Sequence, residues 1–425
     1  MDPSQLTATV LVSGRVQGVG FRWWTRRRLE ELALHGEAQN MADGTVEIRV
    51  SGAARDVDRL LTVLRGGGTP GRVTEVRLVT ASRPETAPGS DARPDADRVH
   101  DVVVVGGGPA GLSAALLLGR SRRDVVVVDD GRPRNAAADH VHGFLGNEGI
   151  PPRDLVARGR AEVERYGVRL QEGTVTAVER GETDAEGPAA PLAVTLADGS
   201  TLRSRRVLVT TGMRDDLPQV AGMTERWGRD VLHCPYCHGW EHRDQRLVVI
   251  ATHAAEVDKA LTVRQWSSAV TLLLHRYTGD PLDDVARARL AATGVEVVEG
   301  TADALLVRDD RLVGIRFDDG RALPCDAVVV QPRLVARDDL LLGTGVSLEA
   351  GPFGEHVRTD ENGATGVPGV WAAGNVAVPQ AQVVTAAADG ARAAVAIDHD
   401  LVLEDADRAV ATGGAVTPYA ADTRR

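Results

Sequence analysis

From Thr7 to Ser13 apolar and polar residues alternate, the period of a half-buried strand, and the run ends at a glycine-bearing loop. Phe21 and Arg22 open an arginine-rich helix predicted to reach about Leu34. Gly36–Asn40 and Thr45–Val50 read as strands flanking the turn Met41-Ala42-Asp43-Gly44. Val57–Leu64 repeats at helical period, and Val73–Val79 reads as a last strand. Strand, helix, strand, strand, helix, strand is the split βαβ arrangement of a ferredoxin-like α+β sandwich.

Beyond residue 99 the pattern changes. Asp101–Val105 is a nearly continuous apolar strand that runs into Gly106-Gly107-Gly108-Pro109-Ala110-Gly111 and then an apolar helix to about Leu118. A second strand, Asp124–Val128, ends at Asp129-Asp130. Strands at Leu247–Ile250 and Val270–Leu274 bracket a helical stretch through Trp266. Late in the chain, Val370–Ala373 leads into Gly374-Asn375 and an Ala-rich helix around Thr385–Ala396. The alternation predicts two Rossmann-like doubly wound α/β units. Between the two patterns, residues 81–99, ASRPETAPGSDARPDADRV, lack apolar periodicity and read as a linker, and residues 406–425 read as a loose tail.

Charge supports the division. Residues 1–80 carry a net +2, and the rest −13 of the chain's −11 total. Such acidity gives no overall attraction to nucleic acid or to an anionic membrane, so neither is expected as a partner. No apolar run approaches the ~20 residues of a membrane span. The opening MDPSQLTATV lacks the basic and apolar pattern of a secretory signal, and three cysteines are too few to staple a secreted scaffold. The expectation is a soluble, cytoplasmic protein.

The glycine-rich turn has the context that gives it meaning: it follows a strand, opens a helix, and has Asp129 at the end of the next strand, 18 positions beyond Gly111. Gly106 permits a tight turn, Gly108 lets backbone approach a pyrophosphate, and Gly111 allows close helix packing. The helix N-terminus at Pro109-Ala110 then faces phosphates, and Asp129, with Asp130 as its neighbour, is placed for ribose hydroxyls.

The stretch His233-Cys234-Pro235-Tyr236-Cys237-His238-Gly239-Trp240-Glu241 carries the other chemistry. Two cysteines two residues apart can close a small disulfide in which one thiol has a lowered pKa. His233 and His238 stand beside them as proton carriers or stabilisers of charge. Cys234, Cys237, His238 and His242 are also four zinc ligands in principle, although His238 directly after Cys237 is awkward for tetrahedral closure, and no metal is expected. Cys325 reads as a small buried hydrophobe.

These features together resemble the low-molecular-weight thioredoxin reductase family of pyridine nucleotide–disulfide oxidoreductases across residues 101–403, through DVVVVGGGPAGLSAA, the CPYC pair and GVWAAGNVAVPQAQVVTAAADGARAA. The resemblance implies FAD in the first site, with Gly374, Asn375, Gln382 and Val383 along its ribityl and isoalloxazine portions. It implies that Cys237 faces the flavin, that Cys234 attacks the outside disulfide, and that the chain forms a homodimer. It divides the long module into FAD-binding parts at 100–217 and 334–405 and a redox part at 218–333. Three departures stand out. His238 replaces the usual acidic residue after the pair, as in flavin-dependent dithiol oxidases that close disulfides in small natural products. Asn375 replaces the usual Asp. Where the family has a second GxGxxA turn, Ala251-Thr252-His253-Ala254-Ala255-Glu256 obstructs a pyrophosphate, which argues against NADPH. His275-Arg276 stands where the family keeps its nucleotide-phosphate cations, with Tyr277 in place of a second Arg.

In the first module, Gly14, Gly18 and Gly20 let successive N–H groups curl around a phosphate, and Arg22 adds a bidentate cation. Residues 7–80, through GRVQGVGFR and Asn40-Met41-Ala42-Asp43-Gly44-Thr45-Val46-Glu47, resemble acylphosphatase. That implies hydrolysis of acyl phosphates, with Arg22 on the substrate phosphate and Asn40 on the attacking water. Trp23 and Trp24 are expected to pack the helix onto the sheet. The reading is therefore a thiol/disulfide oxidoreductase cycling Cys234–Cys237 against FAD in the direction of dithiol oxidation, with His238 moving the proton, fused to an acylphosphatase. Its substrate is a small dithiol or disulfide, or a thioredoxin-like protein. The alternatives are an NADPH-fed disulfide reductase, and an acylphosphatase whose flavoprotein module is a sensor or scaffold.

Overall fold

The computed structural model describes residues 5–32, 34–41, 43–66, 69–82, 98–181, 190–278 and 281–413. Most of the expected linker (83–97), Ala42 of the expected turn, and residues 414–425 lie outside the described residues. The chain divides into two compact units, Met1–Arg93 and Pro94–Arg425.

The first unit orders β1 (Gln5–Arg15), α1 (Phe21–Glu31), β2 (His35–Asn40), β3 (Val46–Ala53), α2 (Ala54–Arg65) and β4 (Arg72–Ser82) into an antiparallel sheet, β2-β3-β1-β4. This is the ferredoxin-like order. Alternation buries Val10 and Val12 of β1 and Val46, Ile48 and Val50 of β3 against Phe21, Leu29, Val57, Leu60 and Leu64 of the two helices. The first helix ends at Glu31, short of Leu34, whose side chain is buried in the core. That side chain lies against Gly52, where a Cβ would come within 2.5 Å of Leu34 Cδ2.

The second unit opens with β5 (Val99–Val105), α3 (Pro109–Arg120), β6 (Val125–Asp129), α4 (Pro152–Glu164), β7 (Arg169–Glu172), β8 (Val175–Arg180), β9 (Leu192–Leu196) and β10 (Thr201–Val209). Their sheet runs β7-β6-β5-β10-β9-β8, with parallel β7, β6, β5 and β10 and an antiparallel β8–β9 extension. The chain leaves through β11 (Met213–Asp216) to build a second, all-parallel sheet from β12 (Val231–Leu232), β13 (Arg246–Ala251), β14 (Ala269–Leu274), β15 (Glu296–Glu299) and the later Ala327–Val330. It returns through Arg333–Ala336, which pairs antiparallel with β11. A late strand, Val370–Ala372, then joins β10 in parallel, completing the first sheet. The apolar runs Val102–Val105, Val125–Val128 and Leu247–Ile250 are buried, as central parallel strands require.

The last helix spans Val383–Thr412, well past Ala396 and past the start of the expected tail at 406. Its apolar contacts end at Leu401. Beyond that it is held by charge: Arg206 pairs with Glu404 at 2.5 Å, and Arg205 and Arg123 reach Asp405 at 2.5 and 3.0 Å. No helix among the described residues is long and apolar enough to cross a membrane.

Candidate functional site

At the end of β5, Gly106 has φ +107°, and a Cβ there would meet Thr210 O at 2.5 Å. Thr210 Oγ1 ties the turn by donating to the carbonyls of Val105 and Gly106. Gly111 packs so closely that a Cβ would sit 1.9 Å from Gly106 O. Gly107 N donates to Asp129 Oδ1 at 3.0 Å, whereas Asp130 is engaged by Arg132. Gly108 is different: nothing lies within 4 Å of where its Cβ would be. The opening it faces is a cavity of about 1020 Å³ lined also by Asp129, Cys234, Cys237, His238 and Gln382.

The late strand brings a second wall. Gly374, at φ +71°, stands where a Cβ would come within 2.9 Å of Ala110 Cβ, so this segment meets the start of α3. Asn375 Nδ2 donates to the carbonyls of Val378, Pro379 and Ala381 at 3.3, 3.0 and 2.9 Å. An aspartate offers no donor there, which gives the departure at 375 a physical reason: the amide staples the loop that presents Gln382. Gln382 Nε2 lies 3.8 Å from the sulfurs of both Cys234 and Cys237.

Cys234 caps the short helix α5 (Pro235–His238), and its carbonyl accepts from Cys237 N and His238 N at 3.2 Å. The two cysteines form a disulfide with Cα atoms 5.3 Å apart. Gly239 leaves room for the Trp266 ring, on which Tyr236 packs edge-on at 5.5 Å. Cys325 is fully buried, and burial pushes its thiol up to about 12.

The two histidines flanking the pair differ. Burial, aided by the Lys259 and Arg134 cations, pushes His233 down to about 4 and keeps it neutral, so it is no proton carrier near neutral pH. Burial also lowers His238, but Glu241 opposes the shift. The sequence pattern did not single out what lies next to it. His142 meets His238 edge-on at 6.4 Å between ring centroids, places Nδ1 2.6 Å from Glu148 Oε1, and has Nε2 3.5 Å from Glu241 Oε1. Only the H-x-H spacing of His140 and His142 could have hinted at it. Lys259, the sole lysine, lies behind the pair, with Nζ donating to Gln331 Oε1 at 2.6 Å and to His233 O at 3.4 Å. Burial lowers its ammonium to about 8.

After β13, the turn that a nucleotide-binding fold keeps open is filled from within. Glu256, almost wholly buried, folds back so that its carboxylate accepts from Thr252 N and from His253 N, the latter at 3.2 Å. His275 points inward rather than toward a phosphate: it is 3% exposed, and its Nδ1 accepts from Ala302 N at 2.9 Å. Tyr277 packs against the same core as β13 and β14.

In the first unit, Gly18 (φ +74°) and Gly20 (φ +81°) have nothing within 4 Å of where a Cβ would stand, leaving the Arg15–Gly20 loop open on that side. Gln17 Nε2 donates to Met41 O and Thr45 O at 2.9 and 2.8 Å, tying this loop to the turn after Asn40. Arg22, second in α1, and Asn40, last in β2, are both exposed. Trp24 packs on the core, but Trp23 is 65% exposed under the Arg27 guanidinium, so the packing expected of both tryptophans holds for Trp24 alone.

Residues 100–391 match the pyridine nucleotide-disulphide oxidoreductase family. The chain belongs to that family. A thioredoxin reductase (tcpT) of Claviceps purpurea (strain 20.1) is 33% identical to this oxidoreductase over 260 residues, 58% of this chain and 77% of that one. The crystal structure of HlmI superposes with a TM-score of 0.68 at 47% identity, covering 74% of this chain and 96% of that one. An oxidoreductase from Agrobacterium tumefaciens gives 0.66 at 34% identity, covering 72% and 99%. Residues 8–89 match the acylphosphatase family, and an acylphosphatase of Mycobacterium sp. (strain KMS) is 54% identical over 72 residues, 17% of this chain and 77% of that one. The molecule thus joins an acylphosphatase unit to a thioredoxin reductase-like oxidoreductase with a CxxC disulfide, both of enzymatic families.

Proposed function

We propose that the oxidoreductase unit is an FAD-dependent oxidase of small-molecule dithiols, and that the acylphosphatase unit hydrolyses acyl phosphates. The observation that carries the first part is Glu256. Its carboxylate takes the N–H groups that would hold a pyridine nucleotide's phosphate, and His275 is committed to Ala302 N, so the residues present do not fit NADPH. The residues of the first slot do fit FAD. Gly108 opens on the cavity, the start of α3 supplies N–H groups for a pyrophosphate, and Asp129 stands at the ribose position.

In this reading a substrate thiolate attacks Cys234 Sγ, and the bond to Cys237 breaks. The second substrate thiol then displaces Cys234, which leaves an oxidised substrate and two reduced cysteines. His238 holds the proton near Cys237, and Gln382 donates to either sulfur as negative charge moves between them. When bound, FAD supplies a two-electron acceptor for the reduced pair, with oxygen as the final oxidant. In the first unit, Arg22 and the Arg15–Gly20 loop bind the phosphate and Asn40 orients water.

The test is an anaerobic titration following flavin absorbance. Bleaching by dithiothreitol, with colour restored by air and no response to NADPH, is the expected result. Near-stoichiometric bleaching by NADPH would make the unit a reductase.

A further inference from the structure

We propose that His142 and Glu148 form the proton exit of the redox pair, carrying to water the proton that His238 takes from the cysteines; this rests on the dithiol-oxidation reading above. Closing a thiol pair to a disulfide gives up two electrons and two protons. The electrons go to the flavin, and each proton must reach either the flavin or water. His238 ends the disulfide helix half-buried, with its ring facing the loop that carries His142, so a proton on the buried side of the ring needs a route outward.

The loop of residues 141–150 supplies one. Its ends are fixed by Val141 N to Ile150 O at 2.8 Å and Gly149 N to Val141 O at 2.9 Å, with Val141 and Ile150 both buried. His142 is thereby held with its side chain 19% exposed and edge-on to His238, with ring centroids 6.4 Å apart, and a bridging water between the rings is part of the proposal. Glu148 is 64% exposed, so the chain His238, His142, Glu148 runs from a half-buried ring to open solvent. Glu148 is itself fixed, because Oε2 accepts from Gly143 N at 2.9 Å.

The orientation suits the direction of transfer. A neutral His142 that donates from Nδ1 to Glu148 presents Nε2 as its acceptor. A proton arriving at Nε2 makes an imidazolium flanked by two carboxylates, Glu148 at Nδ1 and Glu241 at Nε2. The Nδ1 proton can then pass to Glu148 and on to water. The other titratable groups around His238 are Glu241 and His242 on its own segment, and His140 stands 6.0 Å from His142. Glu241, 40% exposed, meets His142 at Nε2, the side on which the proton arrives, whereas Glu148 holds the opposite nitrogen and is the more exposed.

The experiment is anaerobic stopped-flow reduction of the flavin by dithiothreitol across pH, in the full chain and in His142→Gln, His142→Ala and Glu148→Gln. Expected are at least ~10-fold slower bleaching in both His142 variants, within the range of positioned proton transfer, and a smaller loss in Glu148→Gln. Added imidazole restores the rate of His142→Ala, which a structural role would not allow. Wild-type rates with an unchanged pH profile in His142→Gln overturn the relay. So does the failure of imidazole to rescue a folded, flavin-loaded His142→Ala. A wild-type chain that dithiothreitol does not bleach overturns the oxidase reading instead. The same variants are then mixed, after dithionite reduction, with a small disulfide, where the proton enters by the same path and the relay stands or falls by the same criteria.

Discussion

The carboxylate of Glu256 accepts the backbone N–H of His253 at 3.2 Å, so a side chain of the protein occupies the donor that a nucleotide-binding turn offers to phosphate. Replacing both obstructions, in a His253→Gly/Glu256→Ala double variant, should raise NADPH affinity at least ~10-fold in a fluorescence titration, about 1.4 kcal/mol. The same change should cost about 1 kcal/mol of stability, as loss of a capping carboxylate does. An unchanged affinity would show that the turn is not what keeps the nucleotide out.

Gln382 donates toward both sulfurs from 3.8 Å, so its charge character should tune the pair. In Gln382→Glu an acceptor-only carboxylate faces the departing thiolate and disfavours its charge. Dithiol-driven flavin reduction at pH 7 should slow by about 10- to 100-fold, while Gln382→Ala loses less. Stopped-flow absorbance separates the two, and equal losses would mean that only packing matters at this position.

His233 has a sign that can be worked out. Its pKa falls from 6.5 to about 4 on folding, chiefly through burial, so between those values the unfolded chain binds the extra proton. Stability contributed by the neutral ring is complete above about pH 6.5 and is lost as pH drops toward 4. From pH 7 to 4.5 the loss should be about 2 kcal/mol. Denaturant unfolding of His233→Gln at the two pH values should show that much less dependence on pH.

The two enzymatic units should fail separately. Arg22→Ala or Asn40→Ala should reduce acyl phosphate hydrolysis at least ~100-fold, the scale of losing a positioned charge or donor, and leave dithiol oxidation intact. Cys234→Ser should do the converse. Benzoyl phosphate hydrolysis and dithiothreitol oxidation measured on each variant decide it, and joint loss in either would contradict independent units.

Much of this was legible in the chain because it is local. The valine runs and the glycine turn at 106–111 state their own burial and curvature, and the order of elements in the first unit follows from alternation. What was not legible depends on partners far away in sequence. The last helix is held past Ala396 by Arg123, Arg205 and Arg206, which grip Asp400, Glu404 and Asp405 from far away in sequence. His142 gains meaning only beside His238, 96 residues on. Glu256 reads in sequence as a charge near a phosphate site, yet the structure turns it into the internal substitute for that phosphate. Trp23 misled for the opposite reason: an aromatic at a helix start suggests burial, but its face of the helix is the outer one.

Lys259 gives the molecule an uncommon property. Because every other cationic side chain of the basic type is arginine, this protein has one ε-amine, placed against the His233 carbonyl and within the wall of the redox cavity. Reductive methylation with isotopically enriched formaldehyde would therefore install a single side-chain methylamine signal. Its chemical shift would report on occupancy of the cavity and on the state of the disulfide without any engineered tag.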